Sequence, residues 1–408
     1  MSQCPAHDSS VLEAFPTIRR ELFHPAEELQ IRRENEPISR FRFPDGHLGW
    51  VISGYSAGRK ILADSRFSSR SELIHIPMPG PFVPNRPAYP GFFMEMDPPE
   101  HTRFRRLLTA QFTVRRINQL EARIEEIVES HLDEMARARP PVDLVSMFAM
   151  PIPMLVICEL LGVPYTDREF FLDRTETALS LGSDHTKSEA ALGEIVQYIA
   201  DLAVRKRAEP TDDLLSGLAA DAELTELELG NIGMLLLLAG HQTTSDMLAL
   251  GTLTLLSYPE QLVKLRADPS LIEGAVEELL RFLSVVHIGP SRTALEDVEV
   301  DGVLIRQGET VTLSLPSINR DPAQFADEPD ALDVTRAPRG HLAFGHGVHQ
   351  CLGKQLSRIE LRIGFGALLR RFPGIALAVP PDQVRMRDQV AIYGVERLPV
   401  TWPDGSAD

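Results

Sequence analysis

The sequence predicts a mainly helical protein with a minor β part. From Glu100 to Tyr258 almost every segment carries apolar residues at helical spacing. One of these, Glu226–Leu256, runs for about 30 residues and is apolar nearly all round over Ile232–Ala239, the mark of a helix buried at the centre of a large domain. Strand-like pieces are short and lie mainly late in the chain.

The first forty residues are mixed and punctuated by Pro16, Pro25 and Pro37; residues 1–20 are expected to be disordered. Arg40–Phe43 and Leu48–Ile52 read as strands around the turn Pro44-Asp45-Gly46, and Tyr55–Leu62 as a helix. The run Pro77, Pro79, Pro81, Pro84, Pro87, Pro90 removes donors and fixes φ, so it predicts a long ordered loop or flap, or a passive linker. Helices are predicted over His101–Gln111, Arg115–Arg137, Val142–Leu161, Asp167–Leu179 and Lys187–Lys206, before the long one. Breaks fall at Pro140-Pro141, Gly162-Val163-Pro164 and Pro210. Pro259–Ala267 and Leu271–Leu283 follow as helices, then strands at Val298–Val300, Val303–Ile305 and Thr310–Leu313. Gly340–Gln350 is a glycine- and histidine-rich loop. Leu352–Phe372 is a patterned helix with Leu356, Ile359, Ile363 and Leu368 on one face, ended by Pro373, and the tail to Trp402 reads as short strands. With no repeat and no low-complexity linker, residues 1–408 read as one domain.

Composition narrows the function classes. The chain has 408 residues, 58 acidic and 41 basic, for a net charge of −17. Such an acidic balance argues against a general nucleic-acid binder and against adhesion to an anionic membrane. Three distant cysteines, Cys4, Cys158 and Cys351, do not make a disulfide framework. The amino terminus has no signal-type apolar stretch, and the longest aliphatic run, Met234–Ala239, is too short to span a bilayer. A cytoplasmic enzyme is the expectation.

The richest segment is Phe344-Gly345-His346-Gly347-Val348-His349-Gln350-Cys351-Leu352-Gly353. Its glycines permit sharp turns and close approach to a flat ligand. Cys351 lies just before a long helix, whose free amides and dipole stabilise a thiolate, a nucleophile or a metal ligand. Two other readings stay open: an inert cysteine, and a zinc site from His341, His346, His349 and Cys351, whose spacing does not match paired zinc motifs.

The segment resembles the haem-ligand loop of the cytochrome P450 family, Phe-Gly-x-Gly-x-His-x-Cys-x-Gly, at every fixed position. The likeness extends from about Glu34 to Trp402, through segments such as Met96–His101, Ile157–Pro164 and Asn319-Arg320-Asp321-Pro322. It is strongest to soluble actinobacterial members that tailor polyketides, macrolides and other secondary metabolites or oxidise xenobiotics. The resemblance implies the P450 fold, with haem b (iron protoporphyrin IX) between the long central helix and the cysteine loop with its following helix. It makes Cys351 the axial thiolate of the haem iron, which pushes electron density onto the iron. Phe344, Gly345, His349 and Ala239 are carried over as haem contacts. Glu278 and Arg281 match Glu-x-x-Arg, a structural pair bracing the loop, with Arg336 as third member. His101 and Arg105, one helical turn apart, match the pair that holds a propionate, and Arg292 the arginine on the other propionate side.

On the central helix, Ala239-Gly240-His241-Gln242-Thr243-Thr244 matches the oxygen-binding turn of the family except at position 242, where Gln242 replaces an acid. Gly240 would let a ligand lie against the backbone. The Thr243 hydroxyl can take the carbonyl of Ala239 and bend the helix. An amide cannot exchange a proton as a carboxylate does, so delivery would run through water, Thr243, Thr244 or His241. The expected reaction is monooxygenation of an apolar small molecule, by hydroxylation or epoxidation. Alternatives are a peroxide-driven peroxygenase and a non-catalytic haem or ligand-binding protein. Phe82, Val83, Leu235, Leu238, Ala239, Val285, Val286 and Ile392 are the substrate-lining candidates. The chain has no flavin or dinucleotide fingerprint and no iron–sulfur cysteine cluster, so electrons are expected from a ferredoxin and its reductase. Arg103, Arg106, Lys354 and Arg358 are candidates for a local basic dock.

Overall fold

A computed structural model describes residues 11–79, 86–112, 114–179, 185–326, 328–336, 338–388 and 390–403. In chain order the elements are β1 (Val11–Leu12), α1 (Glu27–Asn35), β2 (Ile38–Arg42), β3 (Leu48–Ile52), α2 (Tyr55–Ala63), β4 (Phe67–Ser68), α3 (Glu100–Gln111), α4 (Val114–Arg137) and β5 (Val142–Asp143). Then come α5 (Pro151–Leu161), α6 (Arg168–Leu179), α7 (His185–Ala208), α8 (Leu214–Ala219), α9 (Glu226–Ser257), α10 (Pro259–Ala267) and α11 (Ile272–Leu283). The remainder are β6 (Ser291–Ala294), β7 (Val298–Val300), β8 (Val303–Ile305), β9 (Thr310–Leu313), α12 (Leu315–Ile318), α13 (Lys354–Arg371), β10 (Ala376–Leu377), β11 (Met386–Arg387), β12 (Gly394–Val395) and β13 (Pro399–Thr401). Two compact units result: Met1–Pro87 with Val263–Cys351 and Met386–Gly394, and Ala88–Leu262 with Leu352–Arg385 and Val395–Asp408.

The first unit is built on a six-stranded sheet in the order β1-β2-β3-β9-β6-β4. β2 and β3 pair antiparallel, with Ile38 opposite Ile52 and Arg42 opposite Leu48, and β3 pairs β9 in parallel. Alternation sets which side chain faces where. Trp50 and Ile52 join Val311, Leu313 and Ile61 in one apolar cluster, while Val51 joins Phe41, Phe43 and Leu29 in another. Order reaches further towards the amino terminus than expected: Val11 and Leu12 pair with Arg40 and Phe41. Residues 1–10, including Cys4, lie outside the described residues.

In the second unit, α9 spans 32 residues, and α5, α7, α8 and α13 pack against it. A capping box starts it: the Thr225 hydroxyl accepts from the Glu228 amide at 3.2 Å, and Glu228 Oε2 accepts from the Thr225 amide at 2.8 Å. α7 comes close because a Cβ on Gly230 would lie 2.6 Å from the Val196 carbonyl oxygen. Each buried leucine or isoleucine of α9 contributes about 1.5–3 kcal/mol relative to exposure.

The predicted helix Val142–Leu161 is in fact three pieces. Val142 pairs with Val400 in the small sheet β10-β13-β5, residues Val145–Ala149 form a π turn, and α5 starts only at Pro151. Asp143 Oδ1 accepts from the amides of Val145 and Leu398, which fixes the strand end, and Pro151 suits a helix start but not an interior. α1 carries too little apolar periodicity to be read, only Leu29 and Arg33 of it being buried, and α8, six residues long, is too short to show a helical period.

Candidate active site

The cysteine loop belongs to the first unit. It turns at Gly345 (φ +67°) and Gly347 (φ +72°), and the Cys351 amide closes it by donating to the Phe344 carbonyl at 2.9 Å. A short 3-10 turn, Gly347–His349, precedes Cys351, whose thiol is exposed. A Cβ on Gly347 would meet the Leu62 carbonyl oxygen at 2.2 Å, and backbone cannot yield there. Gly347→Ala is therefore expected to cost at least about 1–3 kcal/mol from the left-handed backbone alone. A thermal melt checks this, and an unchanged midpoint would contradict it.

The loop is braced from behind. Glu278 and Arg281 are both fully buried and pair bidentately, with Nε–Oε2 and Nη2–Oε1 each 2.7 Å. Arg281 also donates to the carbonyls of Asn319 at 3.0 Å, Pro329 at 2.7 Å and Ala331 at 3.2 Å. Asn319 in turn accepts from the Leu342 amide through Oδ1 at 2.7 Å and donates to the Ser284 hydroxyl at 2.8 Å. A continuous hydrogen-bonded path thus runs from the ion pair to the root of the cysteine loop. Arg336 approaches Glu278 at 3.7 Å as the third member. Arg320, also buried, clamps the Phe23 and Phe282 carbonyls, and burial pulls its guanidinium down to about 9. The segment Asn319–Pro322 stood out in the sequence without a role; its hydrogen bonds supply one.

Zinc does not fit this loop. His341 uses both ring nitrogens, Nε2 on Glu277 at 3.1 Å and Nδ1 on the Ala343 amide at 3.3 Å. Among the described residues no group of three His, Cys, Asp or Glu side chains is placed to hold an ion. Cys158 is buried on α5, and desolvation pushes its thiol up to about 12, so it stays protonated.

In the second unit α9 is accessible at its middle: Ala239 is exposed, and Leu236, Leu238, Gly240, Gln242 and Thr243 are partly so, between buried stretches on either side. The Thr243 hydroxyl donates to the Ala239 carbonyl at 2.8 Å, as its position suggested. A Cβ on Gly240 would lie 2.7 Å from Ile157 Cδ1, so that glycine also serves the packing of α5. One expectation changes: His241 is buried, with Nε2 3.1 Å from the Met150 carbonyl, which turns it toward the start of α5 and away from the open face. Thr244 is buried as well. The Gln242 side-chain amide donates to Asp246 Oδ2 at 2.8 Å, a contact with a residue the sequence reading passed over. His101 is buried on α3, Arg105 is half-buried one turn on, and in the first unit Arg292 is buried on β6.

Of the apolar candidates, Val286 and Ile392 are brought together by an antiparallel bridge in the first unit, beside buried Val285. Leu235 is buried and Leu238 half-buried on α9. Phe82 and Val83 lie outside the described residues. Arg103 leaves the candidate basic dock: it donates to Glu228 at 2.9 Å and to the Glu223 carbonyl at 3.0 Å. No helix among the described residues is long and apolar enough to cross a membrane.

Comparison with known proteins places this geometry. The cytochrome P450 family model matches residues 178–389. The chain is 50% identical over 392 residues to cytochrome P450 105C1 of a Streptomyces species, covering 95% of this chain and 98% of that one. It is 43% identical to pentalenic acid synthase of Streptomyces avermitilis, covering 98% and 99%. The crystal structure of CYP105P1 with filipin I superposes with a TM-score of 0.89 at 41% identity, covering 96% of this chain and 99% of that one. The donor set suits the family's haem b: the accessible thiol of Cys351, on a loop closed by backbone hydrogen bonds, is a soft anionic donor for iron, and buried Arg292 in the same unit suits a carboxylate. Family match, identity over nearly the whole length and a fitting donor set agree, and the chain belongs to the cytochrome P450 family of haem-dependent monooxygenases.

Proposed function

We propose that this chain inserts one oxygen atom from dioxygen into an apolar small molecule of the polyketide or macrolide type, by hydroxylation or epoxidation. The observation that carries the reading is the accessible turn at the middle of α9, where exposed Ala239 and half-buried Gln242 and Thr243 lie together and the Thr243 hydroxyl donates to the Ala239 carbonyl at 2.8 Å. Bound haem would be held by Cys351 as the ligand of its iron, with His101, Arg105, Arg292 and His349 as the groups for its carboxylates, and would supply the activation of dioxygen.

The chain's own groups do the rest. Phe344 and Gly345 shape the loop that presents the thiolate. The Thr243 hydroxyl offers a hydrogen bond at the open turn, and Gln242 beside it offers an acceptor that can order a water. Each unit by itself offers apolar side chains that can exclude water from a substrate, Leu235 and Leu238 on α9, and Val285, Val286 and Ile392 in the first unit. Electrons come from a ferredoxin and its reductase, since the chain carries no second redox motif. The basic dock reduces to Arg106, Lys354 and Arg358. Lys354→Glu is expected to slow reduction and flatten its salt dependence; no change in rate or slope would remove the dock.

The test is reconstitution with a ferredoxin, its reductase and isotopically labelled dioxygen, over a panel of macrolides and other polyketides. One labelled oxygen in the product, dependent on reductant, supports the reading. The missing acid at position 242 favours one competitor, the peroxide-driven reaction. Product from hydrogen peroxide without reductant, at a rate matching the reconstituted system, would put that reading first.

A further inference from the structure

We propose that Asp246 supplies the proton that an acid at position 242 supplies in relatives, acting on the open turn of α9 beside Gln242. This inference rests on the monooxygenase reading above.

The reaction needs protons at the oxygen-binding turn, and the chain has an amide where the acid belongs. Gln242 can hold a water but cannot release a proton. The positions Ala239, Gln242, Thr243 and Asp246 follow one another at i, i+3, i+4 and i+7, so they form one stripe of the helix. Ala239 is the exposed member of that stripe, and Asp246, one turn beyond Gln242, is 2% exposed. The carboxylate therefore sits behind the open turn, tied to it by the 2.8 Å hydrogen bond from Gln242 Nε2. Other candidates for the role are turned away or distant. His241 faces Met150, and Thr244 is buried and, as a hydroxyl, relays protons without originating them. The only other acids of α9 are Glu226 and Glu228. They lie 18 or more residues earlier, about 27 Å along the axis.

The Gln242 N–H is a charge-assisted donor that holds the carboxylate once the proton has left. In the step itself the Asp246 O–H bond breaks, a water at the turn takes the proton, and that water passes one of its own protons to the outer oxygen of dioxygen. Asp246 remains as a carboxylate held by Gln242, and solvent returns its proton. A second transfer by the same route completes the two protons with which that oxygen leaves as water when the O–O bond breaks, and the two electrons come from the external donor of the proposed reaction.

A second buried acid in this unit, Glu360 on α13, provides the control. Its Oε2 has no hydrogen-bond partner, and burial holds its carboxyl well above the usual range, so nothing stabilises its anion.

Asp246→Asn keeps the shape and the acceptor for Gln242 but cannot give up a proton. Haem content and melting temperature should stay at the wild-type level. Product per electron pair should fall at least about fivefold, with hydrogen peroxide rising, a modest part of what a positioned acid contributes. Adding Gln242→Glu to Asp246→Asn should recover most of the loss. Infrared spectra of the reduced, carbon monoxide-bound protein give a readout that needs no substrate. In Asp246→Asn the C–O stretch should shift, and a deuterium-sensitive carboxyl band should vanish from the photolysis difference spectrum. Wild-type coupling with an unmoved C–O stretch in Asp246→Asn would overturn the assignment. So would the same loss from Glu360→Gln when Asp246→Asn has none. Should no substrate yield product while the thiolate spectrum is normal, the substrate reading fails and the infrared comparison still decides on Asp246.

Discussion

Arg281→Ala is expected to yield a protein that has lost about 3–5 kcal/mol of stability and does not retain haem. The Glu278 carboxylate would be left fully buried without its bidentate partner. A domain stable by about 5–15 kcal/mol cannot absorb that without a substantial unfolded fraction. Glu278→Ala strands the guanidinium in the same way. The double variant Glu278→Leu/Arg281→Met leaves no buried charge, so it should fold. It also lacks the donor to the Asn319 carbonyl, so the cysteine loop loses its brace and haem retention should still drop. Chemical denaturation and haem content separate the two effects. Full stability and full haem in Arg281→Ala would contradict the account.

Cys351→Ala is expected to abolish oxygenation while leaving the haem-free fold intact. The thiol is exposed, so its removal opens no cavity. The loop closure at Cys351 is a backbone hydrogen bond to Phe344 and survives the substitution. Loss of activity with an unchanged haem-free melting curve would mark Cys351 as a ligand with no structural share. Retained product formation would contradict its role.

Much of the fold was readable because its dominant signals are local. Strands β7, β8 and β9 sit where alternation and the turn glycines Gly302 and Gly308 placed them. The long helix α9 was plain from its apolar run. Misreadings came where distant chain decides. Val142 has helical neighbours in sequence, but Val400, far along the chain, takes it into a sheet. α1 is polar over most of its surface, so its hydrophobic pattern is too thin to register. Val11 and Leu12 are ordered by pairing with β2, not by anything in their own composition.

The site was readable as motifs but not as contacts. Cys351, Glu278, Arg281 and Thr243 stand in fixed spacings, and the geometry gives Arg281 and Thr243 hydrogen bonds that spacing only suggested. Gly240 and His241 belong to the same motif, yet their side faces α5. Which side of a helix is open depends on what packs there. Asn319 and Asp246 carry no motif signal of chemistry; their importance lies in contacts that spacing does not show, Asn319 to Leu342, Ser284 and Arg281 and Asp246 to Gln242.

The absorption spectrum of the purified wild-type protein, reduced and exposed to carbon monoxide, tests the haem-thiolate assignment most directly. A strongly red-shifted Soret band, lost in Cys351→Ala, is the predicted result. A protein that takes up no haem, or an unshifted band with Cys351 intact, would contradict it.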